Sequence, residues 1–452
     1  MKRTFERLSR KRHTSIGRIL ENTAWLLGGK GVGGILSLFY LAIVTRTLGP
    51  AGFGHFAMIL STAQIVVTFV SFETWRIIVK FGQDHVRDAD PARLGRLAAF
   101  CVAIDLAGAL IGAVAAAIAI LLLGPHFGWS KAVSIEALAF AAVMLFTIRS
   151  TPVGILRLFD RFDVGTLAET MIPVGRMIGA LAVWMQGAGL TGFLIAWAAA
   201  ELLCAATYWV LAVRTLNEKA TGWRGARFLQ ARLENQGIMA FLTATNISTT
   251  VGSMTRQASV LVVGFFAGAT DAGLYRLAYQ ISISLSKIST LLSRTIFAEL
   301  ARVSASRPMS DLARLFRRTN RIALIASAVI VLLVATLGQT LLVLMGGQAF
   351  AGAYPLLLVL GIAAALDLIG ISFEPLLLAT GRAVTSVRIQ LISALVLLCL
   401  FAILLPRYGA AGAAMTTLIN AAFVLMMLGI ASRRALKDAA TMPPGVNTDP
   451  AG

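Results

Sequence analysis

Apolar residues run along this chain in long blocks separated by short polar breaks. A helix needs about 20 predominantly apolar residues to cross a bilayer. Twelve blocks reach that length, and they predict helices over 24–46, 55–80, 96–123, 132–156, 164–186, 191–213, 238–267, 272–299, 319–346, 354–380, 384–405 and 410–431. The expected fold class is therefore an all-α integral membrane protein with about twelve transmembrane helices. The expected organisation is a basic N-terminus over 1–23, a six-helix lobe over 24–214, a linker loop over 215–237, a second six-helix lobe over 238–431, and a tail over 432–452.

Cations orient these helices. One side collects Lys2, Arg3, Arg7, Arg10, Lys11, Arg12 and Arg18, then Lys80, Arg87, Arg93 and Arg96. The same side takes Arg157 and Arg161, the 214–232 cluster, Arg302 through Arg321, Arg382, Arg388, Arg433, Arg434 and Lys437. The opposite loops hold only Arg46, Lys131 and Arg407, and each is short. Positive loops stay in the cytoplasm, so both termini are expected there. The first 18 residues lack an apolar core; no cleavable signal peptide is expected, and the first apolar block serves as the insertion signal.

Composition sharpens the picture. Of 452 residues, 58% are hydrophobic and 13% charged, whereas a soluble domain is about half apolar and a quarter charged. An ordinary soluble fold and a disordered chain are both excluded. Twelve spans leave no room for a large domain outside the membrane, which argues against a membrane glycan polymerase with a catalytic outer loop. The net charge of +19 fits cationic cytoplasmic loops and anionic lipid rather than nucleic acid. Cys101, Cys204 and Cys399 sit in apolar runs and read as small core residues. The histidines His13, His55, His85 and His126 are scattered; no metal site, catalytic set or cofactor is expected.

An internal repeat is visible. Gly49-Pro50-Ala51-Gly52-Phe53-Gly54-His55-Phe56 and Gly268-Ala269-Thr270-Asp271-Ala272-Gly273-Leu274-Tyr275 both read G-x4-G-x-[FY] at an offset of 219. Gly189-Leu190-Thr191-Gly192 and Gly409-Ala410-Ala411-Gly412 match at 220, and Arg161 and Arg382 at 221. Three matches in order at nearly one offset predict two six-helix pseudo-repeat halves around a central cavity, and an even helix count per half makes the repeats parallel. Gly28-Gly29-Lys30-Gly31 lacks the order of a phosphate loop. Its glycines, and the pairs Gly108/Gly112 and Gly264/Gly268, read as helix-packing positions.

The hairpin Thr45-Arg46-Thr47-Leu48-Gly49-Pro50-Ala51-Gly52-Phe53-Gly54 resembles the first hairpin of Wzx-type polysaccharide flippases. Gly264-Phe265-Phe266-Ala267-Gly268 through Gly273-Leu274-Tyr275-Arg276-Leu277-Ala278-Tyr279 is similar to their seventh-to-eighth hairpin. Pro406-Arg407-Tyr408-Gly409-Ala410-Ala411-Gly412-Ala413-Ala414 is similar to the start of their last helix. The resemblance implies the multidrug/oligosaccharidyl-lipid/polysaccharide exporter fold in a bacterial inner membrane. It implies a polyprenyl-pyrophosphate-linked oligosaccharide as cargo, flipped to the periplasmic leaflet by alternating access, with ion coupling left open. Polysaccharide polymerase and chain-length proteins are the implied partners. A multidrug exporter of the same superfamily is the alternative; its cationic cargo would favour an acidic cavity.

Charges deep in the spans carry the chemistry. Each costs about 3 kcal/mol or more near the bilayer centre and normally faces the bundle interior. Arg176, Arg256 and Lys287 are the main candidates for holding an anionic head group, since guanidinium forks match its oxygens. Arg149 is a further candidate that could instead pair with an internal acid. Lys30, Arg276 and Arg294 could line the cavity or snorkel. Arg46 is a gate residue or an interfacial anchor. Asp367 and Glu374, seven residues apart on one expected helix face, and Glu201, without a local partner, are the candidates for ion coupling. Glu73 and Arg76 are spaced to pair locally.

Overall fold

A computed structural model of the chain describes residues 15–220, 229–306, 309–379 and 382–441, with side chains described except at 15–32, 244–245, 247–257, 286–315, 318, 375, 378–379, 383 and 436–441. Every regular element among them is helical: α1 (Ser15–Val70), α2 (Thr74–Arg87), α3 (Pro91–Leu123), α4 (Lys131–Phe146), α5 (Ser150–Leu158), α6 (Phe162–Gln186), α7 (Gly189–Lys219), α8 (Gln230–Glu234), α9 (Ile238–Ser306), α10 (Met309–Gly346), α11 (Tyr354–Ile369), α12 (Phe373–Ala379) and α13 (Ala383–Thr441). Nine stretches of the described residues are long and apolar enough to cross a membrane. Three of them, Gly33–Arg87, Ala258–Leu285 and Val384–Ala435, contain a glycine with non-helical backbone at which two helices meet. Dividing those three at the glycine gives twelve helical segments among the described residues, as many as the apolar blocks of the sequence.

The expected loops between the first and second, seventh and eighth, and last two helices are single-residue kinks. Gly49 takes φ 65° and ψ −179°, and Gly268 takes φ 84° and ψ 176°. No residue with a Cβ adopts that region cheaply, so the repeat offset reappears in the backbone. Gly128 and Gly347 form another positive-φ pair at the 219-residue offset, and Gly189 and Gly409 another at 220.

Three expected spans are interrupted instead of continuous. The 55–80 block breaks at 71–73, the 132–156 block at 147–149, and the 354–380 block at a 3-10 turn, Gly370–Ser372. That turn places Asp367 on α11 and Glu374 on α12. Gly268 is the kink residue rather than a packing glycine. Cys399 is exposed, unlike the buried Cys101 and Cys204; an apolar exterior is stable where lipid is the solvent.

The chain forms two compact units. One joins the segment up to Leu48 with His55–Leu261; the other joins Gly49–Gly54 with the chain from Val262 onward. In the first unit α6 packs along α7 through small residues. A Cβ on Gly179 would stand 2.6 Å from the Ala196 methyl, and one on Gly175 3.1 Å from that of Ala200. Such positions let membrane helices approach closely. A core of Ile77, Ile78, Leu94, Leu97, Phe100 and Ile155 ties α2, α3 and α5. On α3, Gly108 admits the Val70 carbonyl, which a Cβ would meet at 2.3 Å, and Gly112 faces Val70 and Leu145.

In the second unit the hairpin residues Gly49–Gly54 lie against the start of the equivalent turn in α9. A Cβ on Gly54 would sit 1.7 Å from the Ala269 carbonyl oxygen, and one on Gly273 2.1 Å from that of Pro50. These two contacts are related by the 219-residue offset. Phe53, fully buried, meets Phe350 edge-on at 6.1 Å. Ser282 and Ser327 donate to the Leu360 and Ala365 carbonyls on α11, both at 2.8 Å.

Candidate anion-binding site

Three interior charges of the first unit converge. Glu201 lies mid-way along α7 and its side chain is 4% exposed. Its Oε2 accepts from Arg149 Nη1 at 2.6 Å, and its Oε1 accepts from Arg176 Nη2. One carboxylate therefore serves two guanidinium groups, each through one N–H, and the cluster keeps one positive charge in surplus. Glu201 has its partners in space and none on its own helix.

Each arm has a local cause. Arg149 sits in the break before α5, where the helix starts at Ser150-Thr151-Pro152. Proline disfavours helical geometry in the residue before it and is tolerated in a helix's first turn. The polar groups bared by this break are satisfied within the protein, as hydrocarbon requires. Trp209 Nε1 donates to the Ile148 carbonyl at 2.8 Å, and Ser150 Oγ accepts from the Trp75 amide at 3.1 Å. Arg176 follows Pro173 by three residues on α6, in the stretch closed onto α7 by Gly175 and Gly179. Its Cζ lies 3.3 Å from the ring centre of Trp197. Cation–π contact strengthens when desolvated. Tyr40 and Phe56 flank the same indole edge-on, each at 5.8 Å.

Donors remain unused. Arg176 Nε and Trp197 Nε1 are buried without a hydrogen-bond partner among the described residues. Arg149 spends one further contact on Cys204 Sγ at 3.9 Å, and its side chain is 40% exposed. A guanidinium has five N–H donors in a planar fork, so the pair can take up further acceptor oxygens.

The remaining candidates are dispersed. Arg46 is exposed three residues before the Gly49 kink, and Arg276 is half-buried on α9. Asp367 is exposed on α11. Glu374 accepts from Gln390 Nε2 at 2.8 Å. The side chains of Lys30, Arg256 and Lys287, and of Arg294, lie outside those described. Glu73 accepts from Arg76 at 3.4 Å and from the Trp75 indole. Trp197 was missed as a participant, although it precedes Glu201 by four residues and so shares its face of α7.

A second buried carboxylate has a different setting. Asp105, 7% exposed on α3, accepts from Thr74 Oγ1 at 3.0 Å and Thr151 Oγ1 at 2.7 Å. Those threonines open α2 and α5, so Asp105 sits at two helix N-termini, which favour negative charge. It pins the two broken spans together.

Comparison with known proteins follows the same lines. The family model described as "Polysaccharide biosynthesis protein" matches residues 19–302. The protein called "Inner membrane protein YghQ" of Escherichia coli (strain K12) is 28% identical over 352 residues, covering 75% of this chain and 95% of that one. Among solved structures, an inward-facing multidrug resistance MATE family transporter of the MOP superfamily aligns with TM-score 0.73 at 14% identity, covering 90% of this chain and 95% of that chain. The lipid II flippase MurJ in an inward closed conformation aligns with TM-score 0.72 at 13% identity, covering 92% and 89%. At such identities the likeness establishes a shared fold.

Proposed function

The chain belongs to the polysaccharide biosynthesis protein family, and from that premise we propose that it flips polyprenyl-pyrophosphate-linked oligosaccharide units from the cytoplasmic to the periplasmic leaflet of a bacterial inner membrane. It is a multi-pass helical membrane protein of the transporter and flippase superfamily. The single observation that carries the choice of cargo is the Arg149–Glu201–Arg176 cluster with its surplus positive charge. A charge at mid-span is costly against hydrocarbon and is retained where it faces a polar interior. Arg149, part-exposed, and Arg176, with its unused Nε, are suited to pyrophosphate oxygens, which accept charge-assisted bonds in parallel pairs. A cationic drug would meet repulsion there.

In this mechanism the two arginines hold the pyrophosphate while the polyprenyl tail stays in lipid. Glu201 keeps both guanidinium groups in place when the site carries no cargo. Alternating access then delivers the head group to the other face. Arg256, Lys287, Lys30, Arg276 and Arg46 are proposed as further cationic steps along the path, and Asp367, Glu374 or Glu201 as the residue that couples to an ion. Polymerase and chain-length proteins would act on the product.

The test is mass spectrometry of polyprenyl-pyrophosphate lipids from cells depleted of the protein. A complete oligosaccharide unit should accumulate on its carrier and disappear on complementation. Unchanged carrier lipids with unchanged surface polysaccharide would overturn the proposal and bring drug export forward.

A further inference from the structure

An open pocket lies in the first unit where the C-terminal end of α5 meets the start of α6 and the flank of α7, its lining free of Arg149, Arg176 and Glu201. Arg157, Arg161, Glu169 and Tyr208 supply its polar lining, and Val153, Leu156 and Phe162 its apolar wall. Arg157 sits over the Trp75 ring, its Cζ 4.2 Å from the ring centre. A cation–π contact uses none of the five guanidinium N–H donors, which stay available to an anion. No carboxylate among the described residues pairs with it. Arg161 is held loosely, 3.6 Å from Asp163 and 3.7 Å from Glu218. Glu169 accepts only a long bond, 3.4 Å, from Tyr208 Oη, whose firmer bond at 3.0 Å goes to the Gly165 carbonyl.

Cations and a carboxylate thus line one pocket without closing on each other. Interior charges near a membrane usually pair. A pocket that holds opposite charges apart is complementary to a ligand with an anion at one end and a cation at the other. We propose that it binds a zwitterionic phosphoamine: a phosphate on Arg157 and Arg161, and a primary ammonium on Glu169. The cations around it mark the cytoplasmic side, and Val153, Leu156 and Phe162 suit the glycerol and first methylenes of a lipid. The ligand is accordingly the head group of a phosphatidylethanolamine-type lipid in the inner leaflet, distinct from the pyrophosphate cargo.

The full-length protein, reconstituted in nanodiscs of equal phosphatidylethanolamine and phosphatidylglycerol and then stripped in detergent, would be examined by native mass spectrometry. Retention should favour phosphatidylethanolamine by about tenfold, the scale of a charge-assisted contact. Glu169→Gln, an exposed position whose change leaves the fold intact, should reduce that preference to parity. Arg157→Gln should lower retention of both lipids, while Arg157→Lys restores it in part. Equal retention of the two lipids by the unaltered protein, or a preference unmoved by Glu169→Gln, would overturn the proposal. Displacement by millimolar soluble phosphoethanolamine with no lipid preference would assign the same chemistry to a cytoplasmic metabolite and overturn the lipid.

Discussion

Glu201 neutralises two arginines at once, so its removal differs in kind from removal of either partner. Glu201→Ala leaves two like charges side by side and uncompensated in a low-dielectric site. Breaking one partner out of a buried pair costs about 3–5 kcal/mol. Arg149→Ala leaves Glu201 still bonded to Arg176 and should cost less. Combining Glu201→Ala with Arg176→Met removes charge from both sides, and denaturant titration in micelles should recover about 1–3 kcal/mol relative to additivity. Strict additivity would deny the coupling. Export should be absent in Arg176→Ala and in the double variant at matched abundance; normal export in either would remove Arg176 from the site. The charges themselves were legible, since Arg149, Arg176 and Glu201 each interrupt an apolar run. Their meeting was not. It depends on α6 closing onto α7 at Gly175 and Gly179 and on a break at 147–149, neither of which leaves a mark in charge spacing.

Two glycines five residues apart serve the hairpin elements for different physical reasons, and substitution separates them. Gly49 has open space where a Cβ would go but a φ of 65° with extended ψ. Gly49→Ala should cost about 1–3 kcal/mol from backbone strain alone. Asn should not rescue it, because asparagine's tolerance of positive φ belongs to the αL region, with ψ near +47°. Gly54 sits in ordinary helix, yet its Cβ would overlap the Ala269 carbonyl. Gly54→Ala should force the two turns apart, with a loss of about 1–3 kcal/mol or more, and Gly273→Ala should match it because its contact with Pro50 is the repeat-related one. Thermal melting of the three variants in detergent checks this; a Gly54→Ala protein as stable as the unaltered chain would refute the close crossing. At this scale the twelve apolar blocks carried the fold, while the three breaks within them do not show in the apolar pattern. Thr151-Pro152 and Glu374-Pro375 did signal two of them, each proline standing third in its half-helix. Nothing comparable marks Ser71-Phe72-Glu73, whose break is settled by packing against Asp105 and Ser150.

Across the whole molecule, the glycine pairs 49/268, 128/347 and 189/409 bear on how the halves are inserted. Six crossings per half return the chain to its starting side, so repeat-related kinks should lie on one face of the membrane. By the cation distribution that face should be the periplasmic one. Labelling can test both statements in a variant lacking Cys101, Cys204 and Cys399. Single cysteines at Ala51, His126 and Ala188, and at Thr270, Gln348 and Tyr408, occupy exposed or part-exposed turn positions. All six should react with a membrane-impermeant maleimide in intact cells. Cysteines at Asp88, Lys219 and Val384 should react only after permeabilisation. Were the first three and second three to label from opposite sides, the repeats would be inverted. The loop cations would then alternate wrongly in one half, and a cytoplasmic entrance for the anionic head group could not be assigned from charge. Agreement of all nine sites would place Arg157 and Arg161 at the cytoplasmic boundary, the leaflet from which both the proposed cargo and the proposed lipid must come.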